Sequence, residues 1–297
     1  MEARRESGGA ERPIGVFDSG LGGLTVARCI ATALPHESVY YVGDTKRCPY
    51  GTRTESEVRA FALQAAGWLA HQNVKLMVIA CNSATAAALR LCQQTFDVPV
   101  IGVIVPGARA AIHKTRTRRV GVLATELTVR SGAYTRAIEE LDAGVEVYGC
   151  PAPSFVDIVE RELATGAHLQ ERWLDGQDIF DTPAIRAEVA ATLKPIEGHD
   201  IDTVVLGCTH FPLLVGPIRA ALGPGVRVVS SAEETTRELT EMLGRRHDLA
   251  PETAQPLHRF ATTSDDIAAF AAAGNFIFGQ QLKSIEHLSL DELEESV

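Results

Sequence analysis

Cys81, within VIACNSAT, and Cys208, within VVLGCTHF, each end a run of aliphatic residues and directly precede hydrogen-bonding side chains. Asn82 and Ser83 follow the first thiol; Thr209 and His210 follow the second. An apolar run that stops at a small or polar residue reads as a buried parallel strand ending at its carboxyl edge. In open α/β sheets that edge is where ligands sit. Removing a weakly acidic proton from carbon needs a positioned base, and inverting the centre needs an acid on the opposite face. Two thiols presented in this way suit that pair of roles, one as thiolate and one as thiol. A thiolate is favoured by hydrogen-bond donors, a helix N-terminus or an imidazolium. Cys81 precedes a helical pattern at Ala84 to Gln94, His210 follows Cys208 by two residues, and Asp18 ends the first strand pattern.

The elements that must position these groups form an internal repeat. Strand patterns at Ile14 to Asp18 and Val39 to Asp44 recur at Val120 to Thr125 and Val145 to Cys150, with glycines 106 residues apart (15 to 121, 43 to 149). The cysteines stand 127 apart (81 to 208), and the following strands 128 apart (98 to 226). The spacing thus jumps by about twenty residues between the second and third strands, where the polar stretch Arg161 to Pro183 supplies an insertion. Helical patterns at Glu55 to Gln72, Ala84 to Gln94 and Ser131 to Leu141 separate the strands. Strands alternating with helices imply right-handed βαβ units and parallel sheets. The fold class read from this is α/β: two similar lobes, each a mainly parallel sheet flanked by helices, with the site in the cleft between them.

Composition sets outer limits. The 297 residues suffice for two compact domains, and 45% hydrophobic with 22% charged content is ordinary for a globular protein. A net charge of −10 argues against a nucleic-acid partner. The basic run His113 to Arg119 reads as a solvated turn before a strand. No apolar stretch approaches the roughly 20 residues that span a bilayer, and MEARRESGGAERP lacks an apolar signal core. No membrane partner and a cytoplasmic location are expected, with thiols reduced. Six cysteines show no CxxC pair and no zinc spacing, so no metal is expected.

Four ordered segments, DSGLGGL at 18–24, GDTKRCPYG at 43–51, ACNSAT at 80–85 and GCTHFPLL at 207–214, resemble the signatures of glutamate racemases within the cofactor-independent aspartate/glutamate racemase superfamily. The resemblance runs from about Ile14 to about Glu234, with a continuation through RFATTSDD. It implies interconversion of L- and D-glutamate without pyridoxal phosphate or any other cofactor, D-glutamate supply for peptidoglycan and cell shape, and a homodimer. It also implies catalytic thiols at Cys81, acting on the D-enantiomer, and Cys208, acting on the L-enantiomer, with Asp18, His210 and Glu160 as auxiliary groups. Substrate contacts map to Asp18, Ser19, Pro49, Tyr50, Gly51, Asn82, Ser83, Thr125, Thr128, Thr209 and His210, with Asp44 as a further carboxylate. Residues 13–105 with 230–265 form the first lobe by this reading and 106–229 the second; 1–12 and 275–297 are expected to be flexible tails. Two departures stand out: Ser83 replaces a threonine common in the family, and Cys48 places a third thiol beside Pro49-Tyr50.

Plainer roles compete with these. Asp18 and Ser19 can cap the helix that follows them, and Thr125 and Thr128 can cap theirs. Cys29 and Cys92 read as small buried hydrophobes. At the level of function, an aspartate racemase, an amino-acid-binding module without turnover, and a thiol redox switch are the alternatives.

Overall fold

Continuous apolar runs, buried on both faces, build two all-parallel sheets. The computed structural model describes residues 9–164 and 179–297. The first sheet contains β1 (Ile14–Asp18), β2 (Val39–Gly43), β3 (Leu76–Ile79) and β4 (Val100–Gly102). The second contains β5 (Arg119–Ala124), β6 (Glu146–Pro151), β7 (Thr203–Gly207) and β8 (Arg227–Ser230). Two further strands, β9 (Arg259–Thr262) and β10 (Ile285–His287), return to the first sheet, giving the orders β10-β9-β2-β1-β3-β4 and β6-β5-β7-β8. All pairings are parallel.

The order β2-β1-β3-β4 is therefore repeated as β6-β5-β7-β8, as the strand spacing suggested. The register refines one step. Tyr40 and Tyr148, which pair with Gly15 and Gly121, stand 108 residues apart, so the second strands align two residues away from the glycine match read in the sequence. The third and fourth strands keep the spacing read from the sequence: Met77 and Val204 pair with Gly15 and Gly121, and Val100 and Val228 pair with those in turn.

The connecting helices are α1 (Leu24–Ala33), α2 (Glu55–His71), α3 (Asn82–Thr95), α4 (Ile104–Lys114), α5 (Glu126–Arg130), α6 (Ala133–Leu141), α7 (Pro153–Ala164), α8 (Pro183–Leu193), α9 (Val215–Leu222) and α10 (Ser231–Arg245). The single helix read at Ser131 to Leu141 is thus the second of a pair, separated from α5 by Gly132 at φ 64°. A left-handed residue cannot continue a right-handed helix, so the chain turns there. Most of the Arg161 to Pro183 insertion lies outside the described residues; its ends close α7 and open α8.

The C-terminal expectation is corrected. Residues 275–297 are not a loose tail: α11 (Ile267–Phe278) is followed by β10, and α12 (Leu290–Glu294) packs against α2. Ser289 and Glu292 form a reciprocal capping box, and Leu293 is fully buried against the layer containing Val58, Ala62 and Ala65. At the other end, residues 1–8 of the expected 1–12 tail lie outside the described residues. Ala10 is tied down, because the buried Lys75 ammonium donates to its carbonyl at 2.6 Å while pairing with Glu37 at 2.7 Å. Among the described residues no helix is long and apolar enough to cross a membrane.

One apolar core passes through both lobes: Val16 and Leu24 of the first share it with Phe155, Leu206 and Phe211 of the second. The carboxyl edges of the neighbouring strands β1 and β3 meet that of β7 at one cavity between the sheets.

Candidate active site

Cys81 occupies the N-cap of α3, with extended backbone at φ −66° and ψ 121°. The chain leaves β3 and enters the helix at this residue, so the thiol sits where the first helical amides are still unpaired. Its sulfur lies 3.7 Å from the Ser19 hydroxyl oxygen. Cys208 follows β7 directly, and a short 3₁₀ turn at Phe211–Leu214 comes next instead of a long helix. Its sulfur lies 3.8 Å from Nδ1 of His210, whose Nε2 is 2.7 Å from Oε1 of Glu160 on α7. Both cysteines are buried, and both line one cavity of about 20 Å³.

That cavity is walled by Ser19, Pro49, Tyr50 and Gly51 from the first lobe, with Asn82 and Ser83 at the start of α3. Thr125, Thr209 and His210 close it from the second lobe. The remaining nominated residues stand one bond behind this wall. Asp18, fully buried, accepts from the Gly20 amide at 3.0 Å and from the Thr209 hydroxyl at 3.4 Å, so it bridges the lobes. Thr128 shares hydroxyl hydrogen bonds with Thr125 at 3.1 Å and Ser83 at 3.2 Å. Glu160 reaches the cavity through His210. Thr125 both caps α5 and meets Ser83 across the cleft at 2.9 Å, so its two readings hold together. Asp18 and Ser19 do not cap α1, whose start at Gly23 has no side-chain cap.

Glycine permits the close approach of the lobes at two points. A Cβ at Gly22 would collide with Thr209 and His210, and one at Gly51 would collide with Thr125.

Asp44 lies behind the wall. Its carboxylate accepts from the Tyr50 hydroxyl, from Arg47 at 2.7 Å and from Thr263 at 3.1 Å. Arg47 continues to Gln64 at 2.6 Å and stacks over Phe61. This buried lattice fixes the Pro49-Tyr50-Gly51 turn, and Arg47 had given no sign of it in sequence. Val156 and Gly207 also line the cavity and were not singled out. Val156 stands one helical turn before Glu160, a spacing that puts both on one face of α7 and was available in the sequence. Cys48 is packed against Gly20 behind Ser19, and burial pushes its thiol well above the ordinary value.

The electrostatics differ from one sulfur to the other. Burial, reinforced by the Asp18 charge, pushes Cys81 up to about 12, so it rests as a thiol. Burial likewise raises Asp18, against the pull of His210 and the Gly23 and Gly20 amides. For His210, burial alone would lower the pKa; its hydrogen bonds and charge interactions with Cys208 and Glu160 outweigh that and hold it well above the imidazole norm. Burial would raise Glu160, but the His210 contact leaves it below the ordinary carboxylate value. An imidazole held toward its charged form thus stands beside Cys208, and a buried acid, Asp18, near Cys81. The arrangement can move one proton off a carbon on the Cys208 side and deliver another on the Cys81 side.

Comparisons with known proteins agree in kind. The family model described as Asp/Glu/Hydantoin racemase matches residues 14–239. The chain is 46% identical over 274 residues to the glutamate racemase of Parafrankia sp. (strain EAN1pec), covering 92% of this chain and 93% of that one. Among solved structures, a glutamate racemase isoform of Bacillus anthracis superposes with a TM-score of 0.83 at 39% identity, covering 94% of this chain and 98% of that one. The Francisella tularensis glutamate racemase in complex with D-glutamate gives 0.83 at 31% identity, covering 95% and 99%. The chain belongs to the Asp/Glu/hydantoin racemase family.

Proposed function

We propose that this protein is a glutamate racemase, an isomerase that inverts the α-carbon with two cysteines and no added cofactor. The observation that carries the reading is the pair Cys81 and Cys208, placed at the carboxyl ends of equivalent strands in two repeated sheets and lining a single cavity. The curated relatives and the solved neighbours described as glutamate racemases supply the substrate.

In the L-to-D direction the Cys208 thiolate takes the α-proton, and the bonding pair stays on carbon as a carbanion delocalised into the carboxylate. The Cys81 thiol then gives its proton to the opposite face. The turnover leaves Cys208 as thiol and Cys81 as thiolate, the state required for the reverse direction. His210, oriented by Glu160, offsets the charge at Cys208; Asp18 and Ser19 attend Cys81. Hydroxyls and amides on the wall can hold carboxylates without adding a competing base. A cavity of about 20 Å³ has room for roughly one water, so admission of glutamate requires the lobes or the wall to part.

D-Glutamate made in the cytoplasm for peptidoglycan, and a homodimeric assembly, belong to the same reading and rest on family resemblance. The test is incubation of purified protein with L-glutamate in heavy water, with no cofactor added. Loss of optical rotation together with deuterium at the α-carbon is expected. Binding without exchange would assign an amino-acid-binding module, and preferential turnover of aspartate would move the substrate to the shorter acid.

A further inference from the structure

One hydrogen bond across the cleft plays no part in the proton transfers above. Asn82 opens α3 in the first lobe, and Tyr134 lies on α6 in the second; both are 3% exposed. The Tyr134 hydroxyl donates to Oδ1 of Asn82 at 2.8 Å. Nδ2 of Asn82 is buried, has no hydrogen-bond partner among the described residues, and belongs to a side chain that lines the cavity. An amide has one acceptor end and one donor end. With the oxygen taken by the phenol, the two N–H groups are left for the cavity. Burying such donors unpaired is costly, which makes them an attractive place for an anionic ligand to bind.

We propose that Tyr134 is a positioning residue: by engaging Oδ1 it orients the Asn82 amide so that its nitrogen donates to a carboxylate of the bound amino acid, and it can do so only while the two lobes are together. The inference rests on the racemase reading and deepens it. The opposite rotamer of the amide would aim an oxygen at the carboxylate and repel it. Burial pushes the Tyr134 phenol upward, so it keeps the proton that it must donate.

Because the bond serves ground state and transition state alike, its removal should appear in KM and spare kcat. Steady-state kinetics in both directions would compare the wild type with Tyr134→Phe, Asn82→Ala, the double variant and Asn82→Asp. Tyr134→Phe is expected to raise KM about tenfold for both enantiomers, the weight of one hydrogen bond, with kcat nearly unchanged. In the Asn82→Ala background the same change should add nothing further. Asn82→Asp, which keeps an acceptor for Tyr134 but offers an oxygen to the substrate, should raise KM at least as much. A wild-type KM in Tyr134→Phe, or an undiminished effect on top of Asn82→Ala, overturns the proposal. Should Tyr134→Phe fail to fold, an unaltered KM in Asn82→Asp overturns it and a raised one upholds it. A wild-type protein that neither racemises nor exchanges glutamate would sink the racemase reading itself, a result distinct from any of these.

Discussion

The two halves of the site are alike in backbone and unlike in chemistry. Cys81 and Cys208 follow the third strands of two sheets that share a four-strand order, and each sulfur meets the cavity from its own lobe. Beyond that the likeness ends. Cys81 stands at the head of a 14-residue helix with Ser19 and Asp18 for neighbours, whereas Cys208 is followed by a 3₁₀ turn and has His210 and Glu160. The repeat thus supplies opposed placement, and the loops supply different partners: a buried acid near one sulfur, an imidazole paired with a glutamate beside the other. A racemase needs that combination, since its substrates are mirror images while its protein is not.

The largest effect should come from removing either sulfur. Cys81→Ala and Cys208→Ala are each expected to lower racemisation by about a thousandfold or more, the weight of a general acid or base, with the fold intact by thermal unfolding. Near-wild-type turnover in one of them would show that a single residue works both faces. A smaller loss, on the order of a hundredfold, is expected when the auxiliary groups go, in His210→Asn and Asp18→Asn. Because the two enantiomers are equal in free energy, kcat/KM must fall equally in both directions. The asymmetry should show in kcat with KM moving in proportion, His210→Asn being slower on L-glutamate and Asp18→Asn slower on D-glutamate. Identical kcat changes in both variants would erase the contrast between the two halves.

The smallest effect concerns the His210–Glu160 pair and its pH window. A histidine whose pKa is raised on folding adds its full stability below the ordinary value of 6.5 and loses it as pH climbs through the folded value. A glutamate whose pKa is lowered adds its full stability above 4.5 and loses it as pH falls through its folded value. The melting-temperature gap between wild type and Glu160→Gln should therefore be widest between about pH 4.5 and 6.5 and shrink on the alkaline side. A gap that stays level from pH 6.5 to 9 would mean that His210 is neutral in the folded protein.

The repeat of strands and the cysteine edges were legible because buried parallel strands write themselves as unbroken apolar runs, and the motifs mark where those runs stop. The segment around β10 was not legible. Ile285-Glu286-His287 is a three-residue edge strand with no apolar run, so only its pairing with β9 defines it. The same limit hid Tyr134, which acts through a partner 52 residues away, and the bond from Arg47 to Gln64, 17 residues away; no local periodicity encodes such partners. The two-residue shift of β6 against β2 is set by pairing register, which short aliphatic runs leave underdetermined.

The most direct measurement is the early fate of label when unlabelled L-glutamate is racemised in heavy water. Two opposed sulfurs, one taking the α-proton and the other giving a solvent-derived deuteron, predict deuterium in the newly formed D-glutamate while the remaining L-glutamate stays protonated. Deuterium entering both pools at equal initial rates would mean that one group serves both faces, and would contradict the account.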